Sequence, residues 1–400
     1  MRYAPRLNDE RGIALAVAIF ALVIIGALVA GTFFAGRLEQ RSGLNSLFAA
    51  QAAEAAEAGT AMAMNNWSTT TMAALPVSTG APSADAALQT NVALGGGAFY
   101  STSVSHLSPS TFLIRSEGQR RDPSGAVLSR RLIAQIVRVV IPQIDIQGAL
   151  TLQGSLTLSG SAEIDGTDHI PAGWGGSCGA AVGPVAGIRS NSNSVSTSGA
   201  NCAGLACVTG SPQLLVDSNV TDQTFTNFGS TTFDELAAAA NIVLSSGTYN
   251  GIGPDSLMAP IGSPVGTRGA CRTALLRNWG EPNTGVGTYS QCFDYFPIIY
   301  ATGTVLINGG RGQGILLVDG DVEFAGGVEF YGPVIATGRV RSAGTGGHVY
   351  GGVMAQNVEL DPNIIIGNSV INYSACAVQR ALLGAGTVRA LSERSWAQLY

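Results

Sequence analysis

Lysine is missing from this chain of 400 residues: all 21 of its basic residues are arginine. Against 26 acidic residues they leave a net charge of -5, and charged residues make up only 12% of the sequence. That balance excludes the broad basic footprint by which proteins hold nucleic acid. Histidine is scarce too, with His106, His169 and His348 far apart. No two cysteines show the two-residue gap of a zinc knuckle, so no metal site is expected. No Ser, Cys or His sits in a nucleophile signature. The run Gly310-Arg311-Gly312-Gln313-Gly314 is not followed by Lys-Ser/Thr, which excludes a phosphate-binding loop.

Charge is also absent locally, and there the absence is informative. A short charged leader (Arg2, Arg6, Asp9, Glu10, Arg11) ends in Gly12, and no charge follows from Ile13 to Phe34. At ~1.5 Å per helical residue this run crosses a ~30 Å hydrocarbon core, and it exceeds the apolar part of a cleaved secretory signal. Beyond it Ala, Leu, Glu and Gln dominate, with Leu44, Leu47, Phe48, Gln51 and Ala55 at helical spacing. The spacing predicts one helix from about Ile13 to about Asn65, roughly 80 Å long.

Glu10-Arg11-Gly12 before Ile13-Ala14-Leu15 resembles the class III signal of type IV prepilins. The stretch Gln51-Ala52-Ala53-Glu54-Ala55-Ala56-Glu57-Ala58-Gly59 is similar to the signature of PilX-type minor pilins and type II secretion minor pseudopilins, with Gln51, Ala53, Glu54, Ala56, Glu57 and Gly59 carrying the match. The resemblance covers roughly residues 10 to 60. It implies cleavage between Gly12 and Ile13 by a prepilin peptidase and a methylated N-terminus. It also implies an inner-membrane anchor with a cytoplasmic N-terminus and a periplasmic body, and packing with other pilin or pseudopilin subunits. Gly26, Ala27, Ala30 and Gly31 are small enough for close helix packing. Major pilins carry glutamate at the fifth mature residue, which is Val17 here; its absence removes a docking contact and points to a tip or priming subunit.

The even set of cysteines, Cys178, Cys202, Cys207, Cys271, Cys292 and Cys376, suits disulfides in an oxidising compartment. Cys178 with Cys202 or Cys207, and Cys271 with Cys292, would close plausible loops. Residues 98–105, 111–116 and 128–141 read as antiparallel strands, the last two joined by a turn at Gly118–Gly125. Arg115, Arg120, Arg121, Arg130 and Arg131 make this patch basic. A solvated hairpin face is the preferred reading over a contact with anionic lipid.

Glycine, with 53 residues, provides the clearest repeat. Gly148, Gly154, Gly160 and Gly166 recur every six residues, and three such hexads suit one turn of a three-sided parallel solenoid. The same period returns near residues 299, 316, 334 and 353. Val322, Val340 and Val358 are spaced by 18 and 18, which predicts an inward apolar column. Glu323, Arg341 and Glu359 beside them predict an outward ladder of alternating charge. Asp319, Asp321, Glu323 and Glu329 could in principle hold calcium or act as acid and base. Arg339 and Arg341 at the same register are expected to neutralise them instead. No catalytic, cofactor-binding or metal-binding residues are therefore expected, and the chain reads as a non-enzyme.

The expected fold class is α+β, mainly β. A leader (1–12), a transmembrane helix (13–34) and a helical stalk (35–66) are followed by a connector (67–97) and an antiparallel meander (98–142). Then come a first β-solenoid (β-helix) turn (144–166), a loop-rich, cysteine-containing insertion (167–297), further solenoid turns of about 18 residues (298–375) and a cap over the open end (376–400). Aromatics near Trp279, Tyr289, Phe293, Tyr295 and Phe296 mark the insertion as either a recognition surface or a shield. The expected function is assembly or tip placement in a type IV pilus-like filament, with adhesion to a surface glycan by the head. Two alternatives are a signal-anchored envelope protein that binds glycan or scaffolds the surface, and a β-helical polysaccharide-active enzyme.

Overall fold

The computed structural model describes residues 11–73, 75–77, 86–108, 110–199, 201–254, 270–284, 290–342, 345–356, 363–365, 368–391 and 396–399. Leader residues 1–10, Tyr289, Asn357, Val358 and Glu359 lie outside them. The chain divides into two compact units, residues 1–66, 77–137 and 390–400 in one and residues 67–76 and 138–389 in the other.

The first unit is built on one helix, α1 (Arg11–Asn65). From Ala14 to Leu47 its residues are exposed. From Phe48 onward one face lies under a sheet formed by β1 (Ala86–Gly95), β2 (Ala98–Ser108), β3 (Thr111–Arg121) and β4 (Val127–Val140). Strand alternation decides which residues meet the helix: Phe112, Ile114, Ser116 and Gly118 are buried, and the residues between them are not. Helix and sheet approach so closely that a Cβ on Gly118 would collide with the Ala52 carbonyl oxygen and the Ala56 backbone nitrogen. One on Gly59 would meet the Ser116 hydroxyl and the Tyr100 ring. Ala52, Ala55 and Ala56 complete this small-residue contact, fully buried or nearly so.

Two sequence expectations are corrected in this unit. Gly118 belongs to β3 and not to a turn; its lack of a side chain serves helix approach, and the turn itself is Asp122–Gly125. The connector at 67–97 contains β1, an exposed edge strand whose pairing with β2 shifts register three times. Those shifts remove the period-two pattern by which a strand is recognised.

The second unit is mainly a parallel sheet of 18 strands. Across it, Ile242 stands opposite Ile299, then Leu316, Val334, Val353, Leu150, Ile188 and Leu214. A second series aligns Val305, Val322 and Val340, and a third Phe330, Val349, Ile371, Ile164 and Val208. Except for Leu214, all of these are buried in one apolar cluster.

The strand order does not follow the chain. Residues 148–165 form a rung in the middle of the sheet; 186–190, 195–197 and 208–209 pair with its three strands as the next rung, and 214–216 pairs with 188–190 beyond them. The chain then passes to the other end, begins again at Ile242, and returns rung by rung until 353–355, 363–365 and 370–372 pair with 150–152, 156–158 and 163–165. The passage at 217–241 is itself packed: Val220, Phe225, Phe228, Phe233 and Leu236 are buried, and the Phe233 ring meets Tyr300 edge-on at 6.2 Å. Leu317, Ile335 and Met354, on the opposite side of their strands from the interior column, are buried as well. A sheet covered on both faces explains their continuous apolar sequences.

These rungs correct further expectations. The insertion at 167–297 contains strands of the sheet. The C-terminal helix Ala375–Gly384 packs on Val328–Ala336 and Gly347–Ala355 rather than over an end, and Trp396–Leu399 pairs with β4. The 18-residue column stops early. Val322 faces Val340 and Glu323 faces Arg341, but Ile364, 23 positions on rather than 18, stands opposite Arg341.

The disulfides are Cys178–Cys376, Cys202–Cys207 and Cys271–Cys292. Cys178 therefore pairs with neither Cys202 nor Cys207. It links the loop after the first rung to the helix after the last one, a sequence separation of 198 residues. Proximity in sequence could not reveal a pairing created by the chain's return.

Two outcomes are expected. Replacing Cys178 and Cys376 with serine should cost about 5 kcal/mol on the loop-entropy estimate, against about 2 for the Cys202–Cys207 pair, read from denaturant unfolding of the purified chain. Gly118→Val should destabilise the first unit by about 1–3 kcal/mol by forcing α1 off the sheet. Gly43→Ala, where a Cβ meets nothing, should instead be neutral or stabilising in the same denaturant unfolding.

Candidate functional site

Two surfaces collect the residues singled out by sequence. The first is α1. Gly12 and Ile13 fall in its first turn. Val17 is 62% exposed, and Gly26 and Gly31 have open space where a Cβ would stand. Ala27 and Ala30 are exposed beside them. Leu15, Phe20, Leu28 and Phe33 are each more than 60% exposed, so the uncharged half of the helix presents apolar surface all round. It is the one described helix long and apolar enough to cross a membrane.

The signature residues divide by helix face. Ala56 and Gly59 lie against the sheet, Glu54 and Glu57 point to solvent, and Ala53 is half-buried. Gln51 accepts a hydrogen bond from Arg120 Nε at 2.8 Å, and the Arg120 guanidinium lies 5.7 Å from the Phe48 ring centroid. Sequence reasoning missed Gly118, Tyr100 and Ser116 as the partners of this face. An isolated glycine in an alternating strand was the available signal.

The second surface is the carboxylate cluster of the parallel sheet. Arg339 Nη2 lies 2.6 Å from Asp321 Oδ2, and the Arg339 backbone N–H donates to Oδ1 at 2.8 Å. Gly338 makes room, since a Cβ there would strike the Asp321 carboxylate. Burial pushes the Asp321 pKa up, but the hydrogen bonds from Arg339, its charge and that of Arg341 outweigh this and hold it below the usual aspartate value. Asp319 accepts a hydrogen bond from Thr337 Oγ1 at 3.1 Å. Arg311, opposite Glu329 in register, pairs with the fully buried Glu281. Each of these contacts holds a carboxylate in a structural pairing, and among the described residues no three His, Cys, Asp or Glu side chains converge as a metal site.

Among the described aromatics of the insertion, Trp279 and Phe296 are buried and Phe293 and Tyr295 half-buried. Trp279 is fully buried and meets Phe330 edge-on at 6.2 Å. Trp174, Phe293 and Phe296 surround the buried Arg380, whose guanidinium lies 4.2–4.7 Å from their ring centroids and pairs with Asp294 at 2.7 Å.

No known protein family matches the chain by sequence, and no curated protein does so. Among solved structures, it is similar to the competence-associated pilin ComZ from Thermus thermophilus, at 11% identity and a TM-score of 0.22, covering 88% of this chain and 97% of that one. A similarity so slight transfers neither fold nor role.

The Asp321–Arg339 pair gives a pH-dependent expectation. A carboxylate whose folded pKa is depressed stabilises the protein above its unfolded value and loses that contribution as pH falls through the folded one. Arg339→Ala should therefore lower stability by about 0.5–1 kcal/mol at pH 7. The gap between the Tm of the variant and that of the parent should close as the pH approaches 2.

Proposed function

We propose that this chain is a membrane-anchored, PilX-type minor pilin or pseudopilin whose second unit is a parallel β-solenoid carried as a head. The carrying observation is the division of α1: an uncharged half with open apolar surface all round continues without a break into a half gripped by a sheet through Ala52, Ala56 and Gly59. A helix exposed in this way needs an apolar surrounding, which a bilayer supplies before assembly and neighbouring pilin helices supply after it. Rung-to-rung parallel pairing on three aligned series supports the solenoid reading. Val17, in place of the glutamate that docks a subunit beneath another, supports a tip position. The head's role is contact with other subunits or a surface glycan rather than catalysis, because its acidic cluster is already occupied by arginine and threonine.

The deciding measurement is the first residue of the mature protein in membranes from cells with and without prepilin peptidase. The expected result is Ile13 only where the peptidase is present. A chain beginning at Met1 in both would sink the pilin reading.

A further inference from the structure

The hairpin tips of the first unit point along α1 toward its uncharged half. Contacts fix the direction: Ser116 and Tyr100 lie at Gly59, Gly118 at Ala52 and Ala56, and Arg120 at Gln51 and Phe48. As β3 advances from Ser116 to Arg120, it therefore descends the helix from Gly59 to Phe48. Four more residues at ~3.3 Å carry the chain from Arg120 to the turn at Ser124, roughly 13 Å further. On a helix rising 1.5 Å per residue, that places the turn about level with Glu39. Glu39 lies only about 8 Å beyond Phe34, a distance comparable to the thickness of the headgroup layer.

The tips carry the chemistry such a position would use. Leu94 at the β1–β2 tip and Val127 and Leu128 beyond the β3–β4 turn are 47%, 52% and 43% exposed. Arg120, Arg121, Arg130 and Arg131 flank them beside Glu117 and Asp122, and Arg37 and Arg41 lie with Glu39 at the same level on α1, six arginines against three carboxylates. This local excess of positive charge contrasts with the chain's net charge of -5. Glu117 pairs with Arg130, and Asp122 is held below the usual aspartate value by hydrogen bonds from the turn's own Ser124 side chain and Ala126 backbone. Arg121 donates to Asn91 and Gln119 while its guanidinium lies 4.6 Å from the Phe99 ring centroid, so its partners among the described residues are neutral.

We infer that the two hairpin tips form a membrane-docking surface for anionic phospholipid headgroups, with Leu94, Val127 and Leu128 entering the interface and the arginines meeting phosphate. Docking here would fix the tilt of the sheet over the bilayer while the chain awaits assembly, so the inference rests on the membrane-anchor reading above. Each arginine near an anionic surface strengthens contact roughly five-fold, and salt weakens it.

The test uses the full chain reconstituted into vesicles of phosphatidylcholine alone, or of phosphatidylcholine with phosphatidylglycerol. Amide hydrogen exchange is followed in residues 92–97 and 122–129. Exchange at both tips should be at least about three-fold slower in anionic than in neutral vesicles, and 0.5 M salt should remove the difference. The variant Val127→Ser/Leu128→Ser, at exposed positions, should lose most of the protection while keeping the exchange pattern of β2 and β3. Equal exchange in both vesicle types, with the chain resisting alkaline extraction, overturns the docking surface and leaves the anchor standing. A chain washed off by alkali overturns both.

Discussion

Close approach of α1 to the sheet is the constraint on which the first unit depends. A helix and a sheet ordinarily pack with side chains between them. Here Gly118 meets the backbone of Ala52 and Ala56 directly, and Gly59 lies against the Ser116 and Tyr100 side chains. That contact sets how the strands lie along the helix and therefore where their turns fall. The same alanines that give the contact also keep the helix propensity high, so a single composition satisfies both the local and the tertiary demand. Continuity of the helix then does the rest: whatever holds the uncharged half also orients the strands.

The second unit answers a different demand. Backbone donors and acceptors on a parallel rung must find partners on rungs above and below. The chain meets this by starting in the middle. Its first rung, 148–165, pairs on one side with rungs that follow it directly and on the other with rungs made from the end of the sequence. The passage at 217–241 is a necessary result of that order, because the chain must travel from one end of the sheet to the other. The passage is packed as it goes: its Phe233 ring meets Tyr300, which stands opposite Leu317 in register.

How much of this was legible follows from the range of each signal. The α1 helix and β2–β4 are local patterns, and their residues announced them. The period of glycine and valine announced parallel rungs near 148–166 and 298–355. The stacking order was not visible, because nothing in Leu150 says that Val353 will face it. The pairing of Cys178 with Cys376 was hidden for the same reason. Within the insertion, the strands Ala186–Ser190 and Leu214–Val216 are short and separated by long loops, so their period is broken even though their register is intact. Gly118 was misread because an isolated glycine signals either a turn or a close contact, and only the helix on the other side decides between them. The carboxylate cluster was legible because Asp321 and Arg339 differ by one repeat, and a repeat converts sequence spacing into contact.

A middle start also orders events along the chain. The edge of the first rung that accepts 353–355 and 370–372 stays without those partners until nearly the whole sequence has emerged, since the residues that complete it lie about two hundred positions later. Pairing at such separation is entropically costly and slow compared with pairing between consecutive rungs. Everything that shortens the search therefore matters more here than in a sheet stacked in chain order. The packed passage returns the chain to the correct end, the consecutive rungs from Ile242 onward grow toward the waiting edge, and Cys178–Cys376 closes across the junction of first and last rungs. The disulfide with the longest separation sits where the first rung and the last, about two hundred residues apart in the chain, meet through backbone pairing. Retention of that junction, rather than formation of any one rung, is what the covalent link secures.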